Sequence, residues 1–452
     1  MKKKIIFICD PGIGILDNSL SFLSRIDRNK YDIELLTIKN GFIRQFSCSD
    51  FITTISDELF SKVYFVENNK FYISNSISNA LKVFNNFKFF NIINYYVNKI
   101  IFILFKKKIL IHEKLFNYIS FNIKIKIKSN FIKKINNHDA IFENVGLIIY
   151  DIVSQKSKNI EKFKKKIENI NKLSIYHGSD FQCLEKKKNN DQVIYEKNCH
   201  QIIFTNTEYE TNYYNHYYKF DNDFLSYGNP KFSNTWINFV LKNGKKDNFL
   251  NEKFVFIISR PADDKYFSIN KKIQYLKDIK KIIVDELKYK LIFRLHPKES
   301  EEFNSNVLEE IFKKKNYKKT WQISTLNPYV IGKHAQFAIS FFSGLAVDLW
   351  HVGCPTVEYM GLNDLNFDNL KIKDPIFLDN VFLKNNDYVL KIRLNDLVMG
   401  ASNVHQLKEN INLILLNKPD IVKKHKKIIE DIYFNKEESV NKILTFIEDK
   451  YV

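Results

Sequence analysis

Glycine and proline are scarce in this sequence, 12 and 8 among 452 residues, so each one that occurs marks a deliberate turn or element end. Cysteine is scarcer still. The five are Cys9, Cys48, Cys183, Cys199 and Cys354, an odd number with no Cys-x-x-Cys pair. That excludes a disulfide framework and a zinc ribbon, and a reducing compartment is expected. Long apolar runs are missing too. Ile100–Phe105 is six residues between Lys99 and Lys106, against the roughly 18 that a membrane-spanning helix needs. The opening MKKKIIFICDPG has about five apolar residues before Asp10, short of a signal-peptide core of roughly 7–15, and reads as a first buried strand. In DPGIG, Gly12 and Gly14 form half of a dinucleotide fingerprint, but position 17 is Asp17, so a tight cofactor-binding turn is not supported and no cofactor is expected. One Asp-x-Asp pair exists, Asp221-Asn-Asp223, in a polar stretch after YYNHYYKF rather than after a strand, so no catalytic metal is expected either.

What is present fits a globular protein of two or three domains: 452 residues exceed one ordinary core, with 45% hydrophobic and 27% charged residues. The 40 Phe, with abundant Ile, Asn and Lys, match the bias of an AT-rich genome, so part of the lysine excess carries no message. The net charge of +19 is nevertheless uneven. From Lys82 to Lys134 there are twelve lysines and one acid, Glu113, a net +11, interleaved with Ile, Phe and Tyr. A solvated face would suffice to explain it. The functional alternative is attraction to an anionic membrane surface or an acidic polymer. No nucleic-acid-binding motif accompanies the charge, so nucleic acid is not an expected partner.

The pattern along the chain alternates strands with helices. KKIIFIC, then PGIGILDN, then the amphipathic SLSFLSRIDRNKYD and the apolar IELLTI read as strand, loop, helix, strand. Apolar runs return at 140–152, 173–178 and 201–207. The stretch 80–135 has helical spacing without clear strands. Residues 1–215 are therefore read as one doubly wound α/β domain carrying a helical, basic insertion at 80–135. Gly228 and Pro230 in SYGNP punctuate a boundary. Beyond it KFVFIISRP, KLIFRLHP, TWQIST, FAISFFSG and CPTVEYM read as strands, with helices between them, including one over Ile269–Lys288. That gives a second Rossmann-like domain over 225–400, followed by charged helices over 401–452. Two such domains form a cleft, and in open parallel sheets ligands sit at the carboxyl ends of the strands.

Residues just past each strand are thus the candidates. Arg294-Leu-His296-Pro297-Lys298 puts three cationic groups at one strand end, with Arg294 and His296 on one face by alternation. Such donors suit the oxygens of a nucleotide phosphate and help it leave. A histidine that merely closes the strand is the bland alternative. Arg260 ends the preceding strand. Ser340-Phe-Phe-Ser343-Gly344 is a small-residue turn into a helix, where a hydroxyl and open backbone N–H groups could seat an anion. An ordinary helix cap would look the same. Glu358 ends the next strand, where a carboxylate could accept from ribose hydroxyls. In the first domain Glu143 in IFENVG, and His177, Ser179 and Asp180 in IYHGSD, follow apolar runs; there a carboxylate or imidazole could take the proton of an acceptor hydroxyl.

Gly228-Asn229-Pro230, Arg294-Leu-His296-Pro297, the Ser340–Gly344 turn and Gly353-Cys354-Pro355 occur in an order that resembles bacterial GT-B glycosyltransferases of capsule and surface-carbohydrate assembly. These include transferases of sialic acid, 3-deoxy-octulosonic acid and glycerol-phosphate polymers. The resemblance covers roughly 225–365; the first domain matches no family pattern. It implies two Rossmann-like domains in GT-B arrangement and a nucleotide-sugar donor. The acceptor would be a glycan or lipid-linked glycan, and the chain would be cytoplasmic, peripheral at the inner face of the cytoplasmic membrane. His296 would contact the donor phosphate, Ser343 would help hold it, and an acid of the first domain would act as base. The expected donor-binding set is Arg260, Arg294, Lys298, Ser340, Ser343, Gly344 and Glu358; the catalytic set is His296, Glu143, Asp180 and His177. The same order is similar to UDP-N-acetylglucosamine 2-epimerases, which are compact and lack such a basic insertion. A non-catalytic polysaccharide- or membrane-binding subunit is the third expectation.

Overall fold

The computed structural model describes residues 2–82 apart from 11, 40, 41, 68 and 69; 132–151 apart from 136 and 137; 163–175; 202–212 apart from 209; 223–262; 267–361 apart from 298 and 300; and, further on, 365, 368, 381–384, 387–390, 393, 396, 398–433 and 436–451. Within these residues the chain builds two large sheets and a small antiparallel hairpin.

The first sheet contains β1 (Lys3–Ile8), β2 (Tyr31–Leu36), β3 (Lys62–Glu67), β4 (Lys70–Ser74), β5 (Ile132–Ile135), β6 (Val145–Asp151), β7 (Asn171–Ile175), β8 (Ile202–Thr205) and β9 (Asp223–Ser226). Its order is β5-β4-β3-β2-β1-β6-β7-β8-β9. All neighbours are parallel except β4, which runs antiparallel to both β3 and β5 at one edge. Central strands are covered on both faces, which is why β1 is a continuous apolar run with Ile5–Ile8 fully buried. The second sheet contains β10 (Phe254–Ile258), β11 (Lys290–Arg294), β12 (Trp321–Ile323), β13 (Ala338–Ser340), β14 (Thr356–Tyr359) and, after the hairpin of β15 (Val381–Lys384) and β16 (Asp387–Leu390), β17 (Met399–Ala401). It is parallel throughout, in the order β12-β11-β10-β13-β14-β17. Both sheets reverse direction beside their first strand, at β1/β6 and at β10/β13. Two parallel-sheet α/β domains are the architecture expected from the alternation of runs.

Local chemistry sets the helix starts. Ser49, Ser233, Ser268 and Asn327 each accept a backbone N–H of the first turn, and Pro328 follows its Asn cap at the position where a missing N–H costs nothing. Two expectations change. Ile132–Ile135, at the end of the stretch read as a helical insertion, is a strand paired with β4, because an edge strand needs only one partner; residues 83–131 lie outside the described residues. The helix expected over Ile269–Lys288 is α-helical only over Ile269–Ile279 and continues as a π-helical segment over Lys280–Glu286.

The chain crosses between the sheets twice. After β9 it passes through Tyr227–Ser233 into helix Asn234–Asn243. After the kinked helix Val404–Ile432, broken at Asn417 just before Pro419, it returns, and helix Ser439–Tyr451 packs on helix Gly14–Leu23 of the first sheet. Val440, Ile443 and Ile447 join the core that holds Ile5, Phe7 and Leu20, and Phe446 meets Phe204 edge-on at 5.2 Å.

Candidate active site at the carboxyl ends of the strands

Register places the second sheet's site. Ile258 pairs with Arg294 on one side and Ser340 on the other, and Ser340 pairs with Glu358. Arg294, Ile258, Ser340 and Glu358 therefore form one row at the carboxyl ends of β11, β10, β13 and β14, across the switch point where ligands bind in sheets of this kind. Three of the four were expected at the site from sequence.

Each is held differently. Arg294 donates from Nη1 to the Leu326 carbonyl at 2.7 Å and is partly exposed. Arg260, two residues past β10, donates to the Phe342 carbonyl, with its guanidinium 5.1 Å from the centre of the Phe342 ring. Phe342 has φ 55°, left-handed backbone that a side chain of this size rarely adopts, and this sharp reversal carries the chain from β13 into the next helix. Ser340 Oγ accepts the Ser343 N–H at 3.2 Å, and Ser343 Oγ accepts the Leu345 N–H at 3.3 Å. The turn is thus built by its own hydroxyls. Gly344 is exposed at the start of the six-residue helix Leu345–Trp350. Glu358 is buried and gripped by Arg393, whose Nε donates to Oε2 at 2.6 Å and whose Nη2 donates to the Met360 carbonyl at 2.8 Å. Burial raises the Glu358 carboxyl, and the Arg393 guanidinium opposes that. Arg393 lies over Gly400, where a Cβ would be 2.2 Å from its Cδ. Glu358 therefore already serves as the anchor of an arginine that the sequence reading missed.

His296 is half-buried beyond β11. Its backbone N–H donates to Glu299 Oε2 at 2.6 Å. Lys298 lies outside the described residues, as do His177, Ser179 and Asp180. Glu143 is not brought to this edge. It is exposed in the turn that precedes β6, at the amino end of the strand, because the apolar residues before it form a short 3-10 turn rather than a strand. At the carboxyl ends of the first sheet the described acids are instead Asp10 after β1, Asp151 closing β6 and Glu210 beyond β8, all buried. Glu210 accepts from Asn206 Nδ2 at 2.9 Å. The Cys9 thiol between them is pushed up by burial, and further by Asp10 and Asp151.

A further cluster joins the two domains. Lys231, in the Gly228-Asn229-Pro230-Lys231 crossing, places its ammonium against Asp17 of helix Gly14–Leu23 and, at 2.7 Å, Asp348 of helix Leu345–Trp350. Its backbone carbonyl accepts the Tyr329 hydroxyl at 3.1 Å. Burial alone would pull the Lys231 ammonium down, but the two carboxylates hold it above the usual lysine range. Burial raises Asp348, against the pull of Lys231. Burial also raises the Cys48 thiol, with Arg294 opposing and Asp17 reinforcing.

The fold is that of two parallel-sheet α/β domains. No family model and no curated protein matches the sequence. Among solved structures the chain is similar to the S. aureus MnaA–UDP co-structure, with a TM-score of 0.52, 10% identity, and 99% of this chain and 96% of that one covered. A Methanocaldococcus jannaschii UDP-GlcNAc 2-epimerase in complex with UDP-GlcNAc and UDP gives 0.48, 12%, 99% and 100%. The wall teichoic acid polymerase TagF gives 0.45, 11%, 99% and 89%. At such identities the likeness concerns the fold alone. Away from the row, a surface hollow of about 580 Å³ is lined by Ser47, Thr53, Thr54, Ser78 and Lys245, and none of the residues of the row reaches it.

Proposed function

We propose that the chain is a metal-independent GT-B glycosyltransferase. It would hold a nucleotide-sugar donor on the second sheet and pass the sugar to a glycan or lipid-linked glycan at the first. The observation that supports this is the row Arg294–Ile258–Ser340–Glu358 with Arg260 and His296 just beyond it: two guanidiniums, an imidazole and a hydroxyl-built turn at one switch point. Cationic and N–H donors fixed at one edge stabilise the charge that develops on a departing nucleotide phosphate, in place of a divalent ion. In this reading His296 and Arg294 meet the phosphate, Lys298 adds charge, Ser343 and Gly344 form its seat, and Arg260 holds the turn. The base belongs to the first sheet. Asp180 and His177 are its candidates from sequence, and Asp151 and Asp10 stand at the strand ends nearest the switch point.

The competing reading is an epimerase, which needs the same donor row and no acceptor and which a fold of two such domains suits equally. Incubation with CMP-, UDP- and GDP-sugars, with and without an oligosaccharide acceptor and with and without EDTA, separates them. Acceptor-dependent nucleotide release insensitive to EDTA supports transfer. Interconversion of the sugar without an acceptor supports the epimerase. No turnover of any donor refutes both and favours a binding subunit. We also place the chain at the inner face of the cytoplasmic membrane, on the strength of the basic 82–134 stretch. Among the described residues no helix is long and apolar enough to cross a membrane.

A further inference from the structure

Beneath the His-Pro turn lies a buried ion pair that the proposed chemistry does not itself use. Glu299 and Lys272 have side chains only 1% and 3% exposed. Glu299 Oε2 accepts the His296 N–H at 2.6 Å, and the Glu299 N–H donates back to the His296 carbonyl at 2.8 Å. Glu299 Oε1 accepts the Ser259 hydroxyl at 2.9 Å and meets the Lys272 ammonium, which also donates to the Arg260 carbonyl at 2.9 Å. The Ser259 N–H in turn donates to the Arg294 carbonyl at 3.0 Å. One carboxylate and one ammonium thus tie together the exits of β10 and β11, from which Arg260, Arg294 and His296 extend.

We propose that Glu299, paired with Lys272, is the positioning residue of the donor site: it fixes His296 relative to Arg260 so that both meet the donor phosphate. This rests on the reading of His296 as a phosphate contact. The choice of residue argues for it. The three groups that converge on the Glu299 side chain, the His296 N–H, the Ser259 hydroxyl and the Lys272 ammonium, are all donating, so only an acceptor with two oxygens serves them together. Glutamine has the same shape but would turn an NH₂ toward one of them. A buried pair of this kind contributes little to stability compared with apolar residues of similar volume, so its use here points to placement rather than to folding.

The test is calorimetric titration of CMP, UDP, CDP and GDP into the full chain and its E299Q, H296A and E299Q/H296A variants, with melting temperatures recorded. E299Q is expected to weaken binding of whichever nucleotide the wild type holds about tenfold or more, the scale on which small misplacements act. The double variant should bind no worse than H296A alone, because Glu299 acts through His296; a purely structural residue would give additive losses. If E299Q does not fold, K272M/E299M restores an apolar filling and should show the same weakened binding. E299Q binding as tightly as wild type, or additive losses in the double variant, overturns the proposal while leaving the His296 reading intact. An H296A variant that binds normally overturns that reading and the proposal with it. So does a wild-type chain that binds none of these nucleotides.

Discussion

Replacing Lys231 by methionine keeps most of the side chain's volume and removes its charge, leaving Asp17 and Asp348 facing each other across the domain junction. The two carboxylates are not equal. Asp17's side chain is 22% exposed and Asp348's only 6%. Water can screen the first, so the loss falls on the second. Removing one partner of a buried pair costs about 3–5 kcal/mol, and with one of the two carboxylates partly solvated we expect the lower end, about 3 kcal/mol, at neutral pH. The pH dependence follows from the direction of the Asp348 shift. Its carboxyl is raised in the folded chain. Above the ordinary aspartate range the folded state therefore holds more protons than the unfolded one, and stability from this group falls as pH rises through that window. Without Lys231 the folded value moves higher still. The deficit of Lys231→Met relative to wild type should accordingly be large near pH 7.5 and shrink near pH 5, and adding Asp348→Asn should recover most of it. Urea unfolding followed by tryptophan fluorescence reports this directly, since Trp350 and Trp236 flank the junction. A deficit that does not change between the two pH values, or no deficit at all, refutes the claim that Lys231 bridges the domains electrostatically.

Other expectations are simpler to state. His296→Ala should lower sugar transfer roughly a hundredfold or more with an unchanged melting temperature, because a half-buried side chain leaves no core cavity; near-normal turnover measured in steady state would count against it. Gly344→Val should raise the donor KM and leave the acceptor KM alone, since the φ of −56° at Gly344 suits any residue and only an approaching ligand would feel the added methyls. Ser343→Ala should act in the same direction by about 0.5–1.5 kcal/mol, and kinetics with donor and acceptor varied separately check both. Gly400→Ala should displace Arg393 and leave the Glu358 carboxylate buried without its partner, costing about 3 kcal/mol or more in denaturant unfolding; a wild-type midpoint would show that Arg393 has room to move. Sedimentation with phosphatidylglycerol vesicles should show binding that weakens with salt, at about 1 kcal/mol per lysine near the surface; equal binding to neutral vesicles would remove the 82–134 stretch as a membrane contact.

Much of the second domain was legible because its signals are local. Apolar runs of strand length, serine and asparagine caps, and Pro297 and Pro355 at element ends all act within a few residues, so Arg294, Ser340 and Glu358 could each be read as standing at a strand end. The cationic clamp at Lys231 could not, since its partners lie 214 and 117 residues away and no periodicity records a contact at that distance. Lys272 misleads for a related reason: on a lysine-rich helix it looks solvated, and only the return of the His-Pro turn buries it. The apolar AIF makes Glu143 look as if it follows a strand, but three apolar residues do not distinguish a 3-10 turn before a strand from the strand itself. Phe342 gave no sign of its left-handed backbone, a position that sequence alone would assign to glycine.

The return of helix Ser439–Tyr451 to the first sheet has a consequence for how the molecule assembles. The core around Ile5 and Leu20 includes Val440, Ile443 and Ile447, residues that follow the entire second sheet in sequence. During synthesis the first sheet can collapse early, but part of its apolar surface stays uncovered until the second sheet has been made. The usual order, in which an amino-terminal domain is finished before the next begins, is inverted for this core, and contacts of such sequence separation form slowly. A ribosome-bound chain stopped after β17 would present the uncovered helix Gly14–Leu23 to chaperones.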